Sequence, residues 1–501
     1  MHSFVKESWY EILVTTIYII NFLAIINLIF REKRSIEATV AWVLVLTTAP
    51  AIGCTTAPAI GCILYIAFGR GISKNNMFKI KEAEDKILKE NIIDTQIKLN
   101  HNDNFEPDLI EYKDMIYTLA NSNNSHFSTN NDVEIFPESN DFFESLLEEL
   151  KKAEHHINIQ FYIFKDDEIG NKIIDILINK AQNGVKVRLL YDAVGSRLFS
   201  DKSIYKLKKA GVKVGVFFPS FMKIININLN YRNHRKIVVI DGKVGFIGGN
   251  NIGDEYLGKN PKFGYWRDTH LKLTGDSVKD LNIRFILDWR YTTKEDLNLD
   301  KYFNIKSSRI SNSKACKNVG IQIVSSGPDS TELDEIKYGY LKMIQKAKKY
   351  IYIQTPYFIL DRTLTDTLKI ACFSGVDVRI MIPSKPDHPF VYWASSSYAG
   401  ELLKYGAKLY NYDHNAFLHA KTIVVDDCVC SIGTANMDIR SFELNFEINA
   451  FMYSSQVAKK QRAIFENDIL KSKEITLDIY NSRSRHMRVK ESISRLLSPI
   501  L

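Results

Sequence analysis

The sequence is poor in cysteine and proline, which excludes several classes of protein. Its 501 residues include six cysteines, and none of these shows the C-x2-C spacing of a zinc site. Cys428 and Cys430 lie two positions apart on a predicted strand and so share a face, which is poor geometry for a disulfide bond. With 12 prolines, 45% hydrophobic and 25% charged residues, the composition is that of a globular protein, and a reducing compartment is expected.

A net acidic charge is missing as well. The formal net charge is +8, which predicts an anionic partner, either a nucleic acid or an anionic lipid surface. Charge alone does not separate these two partners. The length allows two or three domains, or one large duplicated domain.

The N-terminus lacks charge over a long stretch, and this favours lipid. Ile12–Phe30 contains no charged residue and is as long as one membrane-spanning helix. A signal peptide is the alternative, but basic residues close the run and a second apolar run follows at Ala38–Phe68. We therefore predict a membrane anchor over residues 1–70, built from segments 12–30 and 38–68. A helical linker and loop should follow over 71–131, with residues 121–132 as a surface loop.

Two features complicate the anchor. The octapeptide TTAPAIGC occurs twice in succession, at 47–54 and 55–62, which indicates a slippage duplication or a sequence error. Basic residues follow both apolar runs, so the positive-inside rule draws both flanks towards the cytoplasm. Either the segment is a hairpin with both termini inside, or the second run is re-entrant, and we favour the hairpin. The expected location is the cell membrane, multi-pass, with the domain that follows the anchor in the cytoplasm.

The most informative feature that is present is a motif that occurs twice, H-x-K-x4-D-x6-G-[GT]-x-N. The first copy contains His234, Lys236, Asp241 and Asn251, and the second contains His419, Lys421, Asp426 and Asn436. Both copies have the same internal spacing and span an apolar run. A duplicated reactive set predicts a duplicated half-domain and a single site built from both halves.

The stretches around the two motifs also match in type and order. INIQFYIF, NGVKVRLLYD and KKAGVKV in the first half correspond to IYIQTPYF, SGVDVRIMIP and LKYGAKL in the second. Strands that alternate with helices predict an α/β fold in each half. We assign the repeats to residues 132–310 and 311–480. A basic amphipathic segment follows at 481–501, and it either lies on anionic lipid or packs on the domain as a solvated helix.

The motif residues suit an attack on a phosphodiester. In a strand, positions i and i+2 point the same way, so His234 and Lys236 should share one face, and the second copy should do the same. A neutral imidazole is not repelled by the phosphate charge, and ammonium groups can hold the non-bridging oxygens. The motif asparagines, Asn251 and Asn436, can donate further hydrogen bonds.

A reactive histidine also needs an acceptor that fixes its tautomer. Asp268 follows the first motif and Glu447 follows the second, and we predict that each orients the histidine of its own half. Asp241 and Asp426 belong to the candidate catalytic set as members of the motif. Their position at the predicted strand end indicates, however, that they organise the turn rather than touch substrate.

The doubled H-x-K-x4-D motif resembles the hallmark of the phospholipase D superfamily, and the chain is similar to bacterial cardiolipin synthases over essentially its whole length. Matching stretches are FGR at 68–70, YWRDTHLKLTG at 265–275, QIVSSGPDS at 322–330, SIGTANMDIRSFELNFE at 431–447 and the terminal RLLSPIL. The departures are the octapeptide duplication and Thr434, where a serine is usual. The resemblance implies two phospholipase D-like repeats, each a mixed β-sheet flanked by helices. They would be related by pseudo-twofold symmetry and preceded by N-terminal transmembrane helices.

The resemblance also implies an activity. Two phosphatidylglycerol molecules would give cardiolipin and glycerol through a phosphohistidine intermediate, with no metal and no cofactor. Expected partners are phosphatidylglycerol, other anionic phospholipids and the membrane, but no nucleic acid, and the oligomeric state stays open. The alternatives are a hydrolytic phospholipase D, a phosphatidylserine synthase-type transferase, a nuclease and a silent membrane scaffold. The sequence does not fix which histidine is the nucleophile; we favour His234. Asp387 and His388 form a further candidate substrate-side pair.

Overall fold

The computed structural model describes residues 2–30, 39–40, 42–43, 46–47, 111–219, 231–295, 297, 314–329 and 334–498. Helix α1 spans His2–Phe30 and exposes large apolar side chains, among them Phe22 and Leu23. Within the residues described, no helix combines the length and the apolarity needed to cross a membrane. Most of segment 38–68, with most of the octapeptide repeat and the linker up to residue 110, lies outside the described residues. The next described helix, α2, spans Lys113–Asn123.

The first sheet is mixed and is formed mainly by the first half of the chain. Its strands are β2 (Asn131–Glu138), β3 (His156–Phe161), β4 (Lys186–Asp192), β5 (Lys213–Phe217), β7 (Ile237–Ile240), β8 (Val244–Gly248), β9 (Tyr265–Gly275) and β15 (Ala416–Leu418). They follow the order β15-β9-β8-β7-β3-β4-β5, with β2 paired to β9. Strands β3, β4 and β5 are parallel, whereas β7, β8 and β9 are antiparallel.

The second sheet repeats this pattern. Its strands are β1 (Phe127–Ser128), β6 (Arg232–Asn233), β10 (Gly320–Ser326), β11 (Tyr350–Gln354), β13 (Asp377–Ile382), β14 (Lys408–Asn411), β16 (Thr422–Val425), β17 (Val429–Gly433), β19 (Asn445–Tyr453) and β20 (Lys473–Ile475). The order is β1-β10-β19-β17-β16-β11-β13-β14-β20, with β6 paired to β19, and β12 (Phe358–Ile359) forms a small separate sheet with β18 (Met437–Asp438). The predicted α/β fold with two mixed-sheet repeats is confirmed.

The helices cover the sheets because each has one apolar face. They are α3 (Ser139–Lys152), α4 (Glu168–Gln182), α5 (Asp201–Lys209), α6 (Ser277–Thr293), α7 (Glu335–Lys346), α8 (Arg362–Phe373), α9 (Pro389–Leu402), α10 (Ile439–Glu443), α11 (Ser455–Ile469), α12 (Leu477–Asn481) and α13 (Arg485–Leu497). In α3, for example, Phe142, Leu146 and Leu150 recur every fourth residue and are buried. One apolar core combines residues from both sheets with side chains of α6 and α11, so the two halves share a core.

The two halves exchange short strands. In the first half, β6 pairs in parallel with β19 of the second half, and in the second half β15 pairs in parallel with β9 of the first. Each exchanged strand directly precedes a motif histidine. The exchange therefore brings both motifs to the boundary between the two sheets.

Residues 121–132 are not the surface loop that their polar composition predicted. They contain the end of α2, the whole of β1 and the start of β2, and Phe127 is fully buried. The buried Asn131 amide accounts for the difference, because it donates to the carbonyls of Ser128 and Val319 at 3.0 Å each. Since β1 pairs with β10, this part of the predicted linker belongs to the second sheet.

Candidate active site

The histidines and lysines of the motifs lie between strands, not within one. His234 and Lys236 fall between β6, in the second sheet, and β7, in the first. His419 and Lys421 fall between β15 and β16 in the same way. The premise that each pair lies within one strand is therefore wrong, although each lysine does lie beside its own histidine. The chain leaves one sheet and joins the other at this point, which interrupts the regular alternation of side chains.

His234 is held by the second half of the chain. Its backbone N–H donates to the Phe446 carbonyl at 2.9 Å. Its Nδ1 lies 3.0 and 2.9 Å from Oε1 and Oε2 of Glu447, the next residue on β19. Glu447 is fully buried, whereas 12% of the His234 side chain is exposed, so one edge of the imidazole remains accessible.

His419 is held by the first half in the corresponding way. Its backbone N–H donates to the Arg267 carbonyl at 2.7 Å, and its Nδ1 lies 2.6 Å from Oδ2 of Asp268. The sequence predicted both orienting carboxylates but paired each with the histidine of its own half, and that pairing is wrong. The strand exchange places each histidine beside the carboxylate of the other half.

Two buried arginines brace the carboxylate strands, and sequence reasoning missed them. Arg235 donates to the Glu447 carbonyl at 3.0 Å and to Oδ1 of Asp288 at 2.5 Å. Arg267 donates to the Asp268 carbonyl and, at 2.9 Å, to Oδ2 of Asp468. Each arginine is adjacent in sequence to a predicted site residue, and this adjacency could have identified both arginines.

Matched glutamines complete these two networks. Gln160 on β3 donates to Asp288 at 2.7 Å, and Gln354 on β11 donates to Asp468 at 2.8 Å. Both glutamines occupy the same place in the repeated stretches IQF and IQT, so the sequence repeat did contain this information. The networks link helices α6 and α11 to the strands that support the histidines.

The two lysines share an electrostatic environment with both histidines. Lys236 Nζ donates to the His234 carbonyl at 2.8 Å, and Lys421 Nζ donates to the His419 carbonyl. Burial lowers the pKa of Lys236 well below its ordinary value and lowers the pKa of Lys421 to about 8, although nearby carboxylates oppose both shifts. The strand exchange brings both pairs to the boundary between the sheets, and each lysine also lowers the pKa of the other half's histidine, so all four groups belong to one site.

Both imidazoles are held in the neutral form. Burial is the main cause that lowers the pKa of His234, with Glu447 opposing it. Burial and then Lys421 lower the pKa of His419 to about 4. Burial alone would raise the pKa of Glu447 and of Asp268, but their histidine partners hold both carboxyl pKa values below the ordinary range. A neutral histidine that donates from Nδ1 to a carboxylate keeps its lone pair on Nε2, where it can attack or accept a proton.

The motif aspartates lie at the turns, as their position predicted, and not among the reactive groups. Asp241 accepts from the backbone N–H groups of Glu154, His155 and His156 at 2.8–2.9 Å. Asp426 accepts in the same way from residues 348–350 at 2.6–2.9 Å. Both have positive φ, 54° and 53°. Their place in the candidate catalytic set is corrected: they fix the chain that enters β3 and β11.

The two motif asparagines are not equivalent. Asn251 Oδ1 accepts from the Ile163 N–H at 3.1 Å, and its Nδ2 donates to the Tyr256 hydroxyl at 3.1 Å, so its amide is engaged in packing. Asn436 is also buried, and within the described residues its Oδ1 has no hydrogen-bond partner. The asparagine of the second motif is thus the one with free hydrogen-bonding capacity.

Aromatic side chains enclose the two histidines. The Tyr162 ring lies 5.0 Å from the His234 ring, and the Trp266 ring lies 5.1 Å from the His419 ring. Of the candidate substrate-side pair, Asp387 accepts a hydrogen bond from the Tyr357 hydroxyl. Its charge partly opposes the lowering of the Lys421 pKa, so Asp387 lies near the second motif. His388 is exposed at the N-cap of α9.

Two pseudo-symmetric repeats that bring a His–Lys pair each to one shared site define a phospholipase D-like protein. The family model described as "Cardiolipin synthase, PLD-like domain" matches residues 146–264 and 340–469. The chain belongs to the bacterial cardiolipin synthase family: it is 48% identical over 500 residues to the major cardiolipin synthase of Bacillus subtilis, covering 98% of this chain and 99% of that protein.

Further relatives give the same result. The cardiolipin synthase of Oceanobacillus iheyensis is 47% identical over 489 residues, covering 97% of this chain and 98% of that protein. Among solved structures, phosphatidylserine synthase of Haemophilus influenzae is similar, with a TM-score of 0.55 and 18% identity, covering 74% of this chain and 95% of that one. At this identity the likeness concerns the fold alone.

Proposed function

We propose that the protein is a membrane-bound phosphatidyltransferase that makes cardiolipin and glycerol from two molecules of phosphatidylglycerol. The observation that carries the proposal is the crossed arrangement of the site, in which each neutral histidine is oriented by the other half's carboxylate. The near full-length identity to proteins named cardiolipin synthase supports the choice of substrate.

In the first step, one histidine attacks phosphorus and the second acts as an acid. His234 Nε2 forms the P–N bond, and the P–O bond to the glycerol headgroup breaks. The leaving glycerol oxygen takes a proton from His419 Nε2. Because burial and Lys421 keep this imidazole neutral in the free site, the step requires that the negative charge of the bound phosphodiester first raise the pKa of His419. Lys236 and Lys421 stabilise the charge that develops on the non-bridging oxygens, where loss of one such donor typically costs about 10²–10³ in rate.

In the second step the roles of the protons reverse. A headgroup hydroxyl of the second phosphatidylglycerol gives its proton to His419, and its oxygen attacks phosphorus. The P–N bond breaks, His234 regains its lone pair, and His419 is again protonated for the next cycle. Two displacements at one phosphorus predict ping-pong kinetics and net retention of configuration.

The membrane association belongs to the same proposal. Helix α1 exposes apolar residues along its length, including Ile19, Phe22, Leu23 and Ile29, which is unfavourable in water. We propose that this helix and the apolar segment 38–68 anchor the enzyme in the cell membrane with the catalytic domain in the cytoplasm.

The test is the product formed from phosphatidylglycerol labelled separately in the headgroup and in the acyl chains. Purified full-length protein, with chelator and without nucleotide, should release one labelled glycerol for each cardiolipin formed. Phosphatidic acid as the only lipid product would make the enzyme a hydrolase. Cleavage of DNA without any lipid product would make it a nuclease. His234→Ala protein, prepared in the same detergent, is the matched control for contaminating activity.

A further inference from the structure

The C-terminal helix α13 has an inner face that packs on the domain. Glu491 and Ser494 are buried, and the Arg483 guanidinium donates to Glu491 at 2.9 and 3.1 Å. The Arg495 guanidinium lies 4.4 Å from the centre of the Tyr398 ring on α9. Of the two predictions for segment 481–501, packing on the domain is therefore correct for this face.

The outer face of α13 is apolar and exposed. Val489, Ile493 and Leu496 recur at spacings of four and three residues and form one stripe, which we call the outer stripe. Val489 is 55% exposed, Ile493 47% and Leu496 76%. Single exposed apolar residues need no explanation, but three in line on one helix indicate a surface that binds something.

The charge beside the outer stripe has one sign. Glu491 is the acidic residue of α13, and it points inward to Arg483. Arg485 and Arg488 are exposed next to the stripe. An apolar stripe flanked by cations matches an anionic lipid surface, where the apolar side chains enter the acyl boundary and the guanidinium groups meet phosphates.

Helix α13 also packs on α9, the helix that follows the Asp387 loop near the second motif. The Lys490 ammonium, on α13, lies 4.8 Å from the centre of the Trp393 ring, which packs at 5.6 Å against the half-exposed Phe390. Both aromatic residues are in the first turns of α9. That helix starts at Pro389, two residues after Asp387, the partner of Tyr357 beside the second motif. Helix α9 thus connects the neighbourhood of the second motif to α13.

We propose that the outer stripe docks on an anionic bilayer and holds the active site at the lipid surface. The inference rests on the proposed function only in taking lipid as the substrate. It adds a second membrane contact, in the C-terminal half and independent of α1. A headgroup that must reach Lys421 would then not have to leave the bilayer.

The test compares a stripe variant and a control variant of the full-length enzyme. The first replaces the outer stripe (Val489→Ser, Ile493→Ser, Leu496→Ser), and the second replaces two exposed apolar residues of the first half (Leu198→Ser, Tyr205→Ser). Activity is measured in vesicles of phosphatidylglycerol and phosphatidylcholine, and in detergent micelles. In vesicles we expect the stripe variant to show a roughly tenfold higher apparent KM for surface phosphatidylglycerol, with kcat within twofold. The control variant should match wild type, and both should match it in micelles.

Two kinetic outcomes would overturn the inference. An unchanged vesicle KM means that the stripe does not dock, and an equal loss in micelles means that it only supports the fold. Benzoylphenylalanine at position 493 gives an independent readout, because illumination in vesicles should yield lipid adducts. Adducts to a second protein chain instead would make the stripe an oligomer contact. If wild type makes cardiolipin in micelles while the stripe has no effect, the docking proposal fails and the proposed function stands.

Discussion

The two halves of the site have the same arrangement of hydrogen bonds around the histidine, the lysine and the motif aspartate. In both, a histidine N–H bonds to the carbonyl that precedes the other half's carboxylate, and Nδ1 bonds to that carboxylate. In both, the motif lysine bonds to the carbonyl of its own histidine and the motif aspartate collects three backbone N–H groups. Each half therefore supplies the carboxylate that orients the other half's histidine.

The two halves differ in detail, and the differences fit unequal roles. Glu447 contacts His234 with both oxygens, whereas Asp268 contacts His419 with one. The Asn251 amide is engaged on both sides, whereas Asn436 keeps a buried oxygen without a partner in the described part of the chain. The two half-sites share one backbone arrangement but differ in their side-chain hydrogen bonds, and this difference suits a reaction that needs a nucleophile and an acid.

The largest effect should come from removing either histidine. His234→Ala and His419→Ala should each reduce cardiolipin formation to background, since one site uses both groups. Because the structure places each histidine beside the other half's carboxylate within a single chain, we expect that mixing the two purified variants does not restore activity. Product formation on mixing would mean that sites are assembled between chains.

The next largest effect should come from the carboxylates. Glu447→Gln and Asp268→Asn keep the size of the side chain but remove the charged acceptor. A wrong tautomer in a comparable arrangement costs about 10⁴ in turnover, so we expect a loss of at least ~10² for each variant. Circular dichroism and lipid binding should be unchanged. Full activity in either variant would remove that carboxylate from the site.

The pH dependence sharpens the comparison between the lysines. The pKa of Lys421 is lowered to about 8 by burial, and the ammonium form is present below that value. The value of kcat/KM, which reports the free enzyme, should therefore fall as pH rises through about 8. In Lys421→Arg the charge persists, so the falling limb should move to higher pH even if the plateau is lower. If the fall in kcat/KM stays at the same pH in this variant, it reports the titration of another group.

The smallest effect on rate should come from the motif aspartates. Asp241→Asn and Asp426→Asn remove carboxylates that accept three backbone N–H groups each, while asparagine tolerates the positive φ. We expect the free energy of unfolding to fall by about 1–3 kcal/mol, with kcat of the folded protein within about threefold. Denaturant titration measures the loss of stability, and assays at equal folded fraction measure kcat. A stable but inactive Asp241→Asn variant would put this carboxylate among the reactive groups.

The sequence allowed much of this to be predicted. The doubled motif and the matched strands predicted the repeats, and the need for an acceptor selected Asp268 and Glu447. The pairing could not be derived, because spacing along the chain carries no information about which strands exchange between sheets. The burial of Phe127 was missed because the flanking residues are polar, and their hydrogen bonds to Val319 depend on the tertiary fold.

The crossed pairing can be tested most directly by following the histidine titrations by NMR in detergent micelles. Glu447 raises the pKa of His234, and Asp268 raises the pKa of His419. Glu447→Gln should therefore lower the pKa of His234 and leave that of His419 nearly unchanged, and Asp268→Asn should do the reverse. If Asp268→Asn instead shifts His234, each carboxylate serves its own half, and the crossed site is wrong.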